Sequence, residues 1–216
     1  MPNKDKQRPN NVINFPVEGV RKFGFKRAKR QQQESAMERK GQLTLFERPT
    51  GEVLPLPTGI SAFEEALLLD EHGDTAAAEA YQRAIENDEY AADAFCNLGI
   101  MQSRKGNTVE AFVSFTSSLA REPQHFESHY NMANLYFEEG DLRLAKTHYQ
   151  IAASIAPEFP NVYFNLGLVH AMRDDLAAAV EALDQYRELA SDDDVGLADE
   201  LLATLRRSIA EKHQQN

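Results

Sequence analysis

Between Ala92 and Pro157, apolar and polar positions recur with a 34-residue period. In a first copy starting at Ala92, Phe95, Leu98, Gly99, Ala111, Phe115 and Pro123 occupy positions 4, 7, 8, 20, 24 and 32. In a second starting at Phe126, His129, Met132, Ala133, Tyr136, Ala145, Tyr149 and Pro157 occupy positions 4, 7, 8, 11, 20, 24 and 32. Positions 4, 7, 8 and 11 follow the i, i+3, i+4, i+7 rhythm of a helix with one apolar stripe. Small residues at 8 and 20 predict close approach of that helix to a partner. Gly106 and Gly140 are expected to end each first helix with positive φ. Asn107 and Asp141 are expected to cap the second, and Pro123 and Pro157 to stop it. One helix pair cannot bury its own stripe, so neighbours must stack.

This spacing resembles the tetratricopeptide repeat (TPR), with its aromatic, Leu-Gly, Tyr, Ala-x3-Phe and closing Pro. Weaker copies flank the two clear ones. Before them, Phe63, Ala66, Leu67 and Leu69 predict a first helix ended by Gly73, and Ala77, Ala80, Tyr81, Ala84 and Ile85 predict its partner. After them, Tyr163, Leu166, Gly167, Ala179 and Leu183 fit a copy starting at Pro160, with Asp174 at the turn glycine and Ser191 in place of the proline. A last amphipathic helix over Leu197–Ile209 would cap the array. The expected division is a basic arm and Pro-rich linker (1–57), a degenerate repeat (58–91), three repeats (92–125, 126–159, 160–193) and a C-terminal capping helix (194–216). The fold class is all-α: a right-handed helix-turn-helix solenoid with a basic, largely disordered N-terminal arm.

The resemblance also implies a function: a protein-interaction module that holds a peptide or helix of a partner in a concave groove lined by the first helices. Positions 2, 5, 6, 9, 12 and 13 of those helices would face the groove. They include Cys96, Asn97, Ile100, Tyr130, Asn131, Asn134, Phe137, Phe164, Asn165, Leu168 and Met172. Asn97, Asn131 and Asn165 recur at position 6, one per repeat, and an amide offers a donor and an acceptor to the backbone of an extended peptide. Some TPR domains grip a free carboxylate with Lys and Arg. Here Asn161, Asn165 and Cys96 stand where those cations would be needed, so an apolar or amide-rich ligand is expected instead.

Charge divides the chain. The formal net charge is −11, yet residues 1–48 hold 12 Lys and Arg against 5 Asp and Glu, and the rest holds 11 against 29. Within the arm, Arg21, Lys22, Lys26, Arg27, Lys29 and Arg30 interleave with Phe23 and Phe25. Two readings follow: cations on phosphates with rings for stacking, hence a nucleic-acid arm, or a solvated tail that lies free or back on the acidic body. Further on, Gln42-Leu43-Thr44-Leu45-Phe46 resembles the pentapeptide by which bacterial replication and repair proteins bind the DNA sliding clamp, with Thr44 at its middle position. That resemblance implies a clamp- or DNA-associated regulator as a second function, with Gln42, Leu43, Leu45 and Phe46 as contacts. A structural subunit of a larger assembly is a third. The alternative for the pentapeptide is a short strand or turn on the first repeat.

No phosphate loop, dinucleotide fingerprint or zinc-type cysteine set occurs, so neither catalysis nor a cofactor is expected. His125 and His129 lie four apart, the spacing of a metal pair, but His129 falls on a core position and packing is the simpler role. Cys96 is the single cysteine, which fits a reducing compartment. With no long apolar run and no signal-type N-terminus, a cytoplasmic protein without membrane contact is expected.

Overall fold

The computed structural model describes residues 23–28, 60–191 and 195–214. Gln42–Phe46 and Arg21, Lys22, Lys29 and Arg30 lie outside them, as does most of the 1–57 arm. The described residues form helices and connecting turns, without strands: α1 (Ala62–Glu71), α2 (Ala77–Glu86), α3 (Ala91–Arg104), α4 (Thr108–Arg121), α5 (Phe126–Glu138), α6 (Leu142–Ile155), α7 (Pro160–Met172), α8 (Leu176–Leu189) and α9 (Gly196–Gln214). They fall into two compact units: Phe25–Glu139, and Gly140–Asn216 together with Met1–Gly24.

In the unit Phe25–Glu139, α1 pairs with α2 and α3 with α4, while α2 packs on α3 and α4 on α5. The first pair is centred on Phe63 and Tyr81, with Ala66, Ala77, Ala80 and Ala84 letting the helices close up. Ser61 opens α1 with a capping box: its hydroxyl accepts from the Glu64 N–H, and the Glu64 carboxylate accepts from the Ser61 N–H. The small residue at position 8 has a steric cause, because a Cβ on Gly99 would sit 2.8 Å from Cε1 of Phe115. Buried hydroxyls link the next layer. Ser118 donates to the Ala92 carbonyl (2.7 Å) and meets Ser128 at 2.6 Å.

In the unit that includes Gly140–Asn216, α6 packs on α7, α7 on α8 and α8 on α9. Gly167 repeats the close approach, with Cγ of Leu183 at 2.8 Å from where a Cβ would be. The last helix extends beyond the apolar stripe that predicts it, and Leu201, Leu202 and Leu205 are its buried anchors.

The turn glycines Gly73, Gly106 and Gly140 take positive φ, and Asp174 takes φ 60° at the corresponding place in the last repeat. Two further left-handed residues, Asp88 and Tyr90, make the turn into α3, which the repeat pattern does not foretell. Asp141 caps α6 through its side chain, which accepts from the Leu144 N–H. Asn107 does not do the same for α4: its side chain makes no capping bond, and the helix starts on its backbone carbonyl, which accepts from Ala111.

Candidate peptide-binding surface

The position-6 asparagines stand on first helices, one turn or more from either end, and all three are fully buried. Each meets a backbone residue within 23–28, part of the basic arm. In the unit Phe25–Glu139, the Lys26 N–H donates to Oδ1 of Asn131 (2.7 Å) and Nδ2 of Asn131 donates to the Lys26 carbonyl (2.6 Å). The Ala28 N–H donates to Oδ1 of Asn97 (2.8 Å), and Nδ2 of Asn97 returns a bond to the Ala28 carbonyl (2.9 Å). In the other unit, the Phe23 N–H donates to Oδ1 of Asn165 (2.7 Å), and Nδ2 of Asn165 donates to the Phe23 carbonyl (3.1 Å). Both halves of each amide are therefore used on one residue. That arrangement satisfies an extended backbone as a neighbouring strand would, without naming a side chain.

The side chains of residues 23–28 make contacts of their own. The Phe23 ring packs edge-on to Phe164 (5.1 Å between centroids) and beside Tyr186 (5.8 Å). Phe25 stacks on Phe115 at 6.3 Å. The Lys26 ammonium lies 4.5 Å from the centroid of the Phe126 ring and 3.6 Å from the Glu127 carboxylate. Arg27 places Nε 2.7 Å from Oδ2 of Asp70 as an ion pair whose geometry leaves that buried Nε without a hydrogen bond; the carboxylate, at 8% exposure, accepts from the Tyr81 hydroxyl (3.3 Å) and has Arg104 at 3.8 Å. Ala28 is fully buried in a cluster with Cys96, Ile100, Phe115, Met132 and Leu135. Lys26 and Arg27, the arm cations among the described residues, thus face acids of the chain itself.

The other residues of the surface are buried as well: Ile100, Tyr130, Asn134, Phe164 and Leu168, with Tyr130 stacked on Phe126 at 6.0 Å. Phe137 is half-buried and Met172 exposed. Burial pushes the Cys96 thiol up to about 12, against the weaker pull of hydrogen bonds with Ser128 and Asn131. The Asn131 amide also donates to its sulfur at 3.3 Å. Burial, assisted by Asp70, likewise raises the Tyr81 phenol.

Asp70, Phe126 and Glu127 contribute to the surface although the repeat pattern did not single them out. Glu127 was legible, since it stands at position 2 of its copy; Asp70 was hidden because the first repeat departs from the consensus. The histidine pair is structural. Nδ1 of His125 accepts from the Ser128 N–H to cap α5, which leaves Nε2 to donate to Asp93 (3.1 Å). Nε2 of His129 donates to the Pro123 carbonyl (3.0 Å), and burial lowers the pKa of that ring. Among the described residues, no group of three or more His, Cys, Asp or Glu is arranged to hold a metal ion, and no helix is long and apolar enough to cross a membrane.

Comparison with known proteins agrees with the helix-pair architecture. The chain is 32% identical over 125 residues to human tetratricopeptide repeat protein 8, covering 58% of this chain and 23% of that protein. It is 24% identical over 114 residues to the bovine BBSome complex member BBS4, covering 53% of this chain and 22% of the relative. The chain thus spans less than a quarter of the length of these relatives. Among solved structures, a tetratricopeptide repeat protein from Parabacteroides merdae superposes with TM-score 0.59 at 24% identity, over 69% of this chain and 59% of that one. The first TPR of Spaghetti (RPAP3), bound to the HSP90 peptide SRMEEVD, gives TM-score 0.50 at 18% identity, over 55% of this chain and 95% of that one. The model of the tetratricopeptide repeat matches residues 63–127 and 130–194, more than half of the sequence. With its paired helices, turn glycines and close contacts at position 8, the chain belongs to the tetratricopeptide repeat family.

Proposed function

We propose that this chain is a protein-interaction module that holds a peptide segment by its backbone, with Asn97 and Asn131 as the grip in the unit Phe25–Glu139 and Asn165 pairing in the same way within the other unit. The observation that carries this reading is the two-way amide pairing at Phe23, Lys26 and Ala28, repeated three times on one stretch. A coincidental contact would engage one half of an amide and leave the other elsewhere. The RPAP3 neighbour, whose TPR holds a peptide, supports the same use of the fold.

The test is backbone hydrogen exchange on the full chain. The amides of Phe23, Lys26 and Ala28 should exchange slowly, and the triple change Asn97→Ala, Asn131→Ala, Asn165→Ala should release them while the helices keep their protection. Fast exchange in the parent, or protection that survives the triple change, would refute the grip.

A further inference from the structure

We infer that residues 25–28 are a built-in pseudo-ligand of the unit Phe25–Glu139, and that the site in this unit takes a partner segment of the same chemistry, aromatic-basic-basic-small, by displacing them. This rests on the peptide-holding role proposed above and adds both the class of partner and the means of control. The pattern is written in the contacts. Phe115 receives the Phe25 ring. Phe126 and Glu127 take the first cation, Asp70 takes the second, and the buried cluster around Cys96 holds a small side chain, that of Ala28. Asp70 and Glu127 would repel an acidic segment such as the SRMEEVD bound by the RPAP3 neighbour. The preferred partner is therefore basic and aromatic. A segment tethered in the same chain acts at an effective concentration on the order of a millimolar, so a free peptide of micromolar affinity competes against a standing occupant.

Cys96 reports on occupancy. It is the single cysteine, fully buried, and shares its cluster with Ala28. Emptying the site should expose it to thiol reagents.

The experiment titrates a fluorescent peptide spanning residues 25–30 into the full chain and into a full-length variant carrying Phe25→Ala and Arg27→Ala. Both changes lie outside the helices, and circular dichroism checks that the helical melt persists. The variant should bind the peptide about 10- to 100-fold more tightly than the parent. Its Cys96 should label at least tenfold faster and be protected again by the peptide, while an SRMEEVD peptide should give neither effect. Equal binding by parent and variant would overturn the pseudo-ligand and leave the peptide-holding role intact. Faster labelling without peptide binding would overturn the partner class. If the peptide binds neither protein and Cys96 labels alike in both, this inference and the reading beneath it both fall.

Discussion

Asn131 holds Lys26 from both sides, accepting from its N–H at 2.7 Å and donating to its carbonyl at 2.6 Å, while the same Nδ2 reaches the Cys96 sulfur at 3.3 Å. Replacing Asn131 by Ala removes all three contacts without touching the apolar stripe of α5. Each backbone bond should be worth about 0.5–1.5 kcal/mol, so the segment should be held about 1–3 kcal/mol more weakly. Cys96 labelling should accelerate accordingly, and the melting midpoint should move by only a few degrees. A midpoint collapse would mean that the buried amide serves the fold rather than the segment.

Gly99→Ala tests close packing. The added Cβ would meet the Phe115 ring at 2.8 Å, and that ring is fully buried and cannot swing into solvent. The expected loss is about 1–3 kcal/mol, the usual range for overpacking. Gly106→Ala has open space around its Cβ but a φ of +79°, so its loss of about 1–2 kcal/mol comes from the backbone alone. Urea melts should separate the two through Phe115→Leu, which should partly rescue Gly99→Ala and leave Gly106→Ala unchanged.

Much of this architecture was legible in the period of the sequence. Position 8 must be small because Phe115 or Leu183 lies against it, and the turn residues must reach positive φ; both demands are local and leave a residue type behind. The asparagines were legible too, as amides recurring where a peptide backbone would pass. What occupies them was not. Phe23, Phe25, Lys26 and Arg27 spell an aromatic-basic stretch whose composition suits phosphates and bases as well as it suits Asp70, Glu127 and buried rings. Only the tertiary arrangement separates these uses, because the partners lie between 43 and 163 positions away along the chain. Asn107 shows the opposite limit: a residue type that favours caps marks the helix start correctly and still makes no side-chain bond there.

Tyr149 fills position 24 of its copy, is fully buried, and accepts a hydrogen bond from Nδ2 of Asn165 at 3.2 Å. Tyr149→Ala should cost about 3–5 kcal/mol, the loss expected on emptying a large aromatic site. Tyr149→Phe keeps the ring and removes only the hydroxyl, costing about 1 kcal/mol. It should also loosen the hold of Asn165 on Phe23, so hydrogen exchange at Phe23 should quicken while most of the stability remains.

His129 gives a pH dependence. Burial lowers its folded pKa below the ordinary 6.5, against the raising effect of its bond to the Pro123 carbonyl. The unfolded chain therefore takes up the proton first as pH falls. Stability from the neutral ring is fully present above about 6.5 and declines as pH drops through that value toward the lower folded pKa. Melting midpoints from pH 8 to 5 should fall less steeply in His129→Gln than in the parent. Matching slopes would show that His129 titrates alike in both states.

Arg27 and Asp70 supply the last prediction. Asp70 is buried, and its carboxylate is shared by Arg27 at 2.7 Å, the Tyr81 hydroxyl at 3.3 Å and Arg104 at 3.8 Å. Arg27→Ala withdraws the nearest cation and leaves a buried carboxylate served by the other two, so the cost should exceed that of a solvent-exposed ion pair. Asp70→Asn instead keeps an acceptor for Tyr81 and strands the guanidinium. A double-mutant cycle separates the pair from its surroundings: the coupling should be about 1–3 kcal/mol, above the 0–1 kcal/mol of surface pairs, because both groups are largely out of water. Salt should weaken it only slightly, since screening acts least on buried charges. The readout is Cys96 labelling, which reports the held segment, rather than the melting midpoint, which reports the helices. Labelling that accelerates in each single variant by the same factor as in the double variant would establish the pair as one contact. Additive factors would mean that Arg27 and Asp70 hold the segment independently.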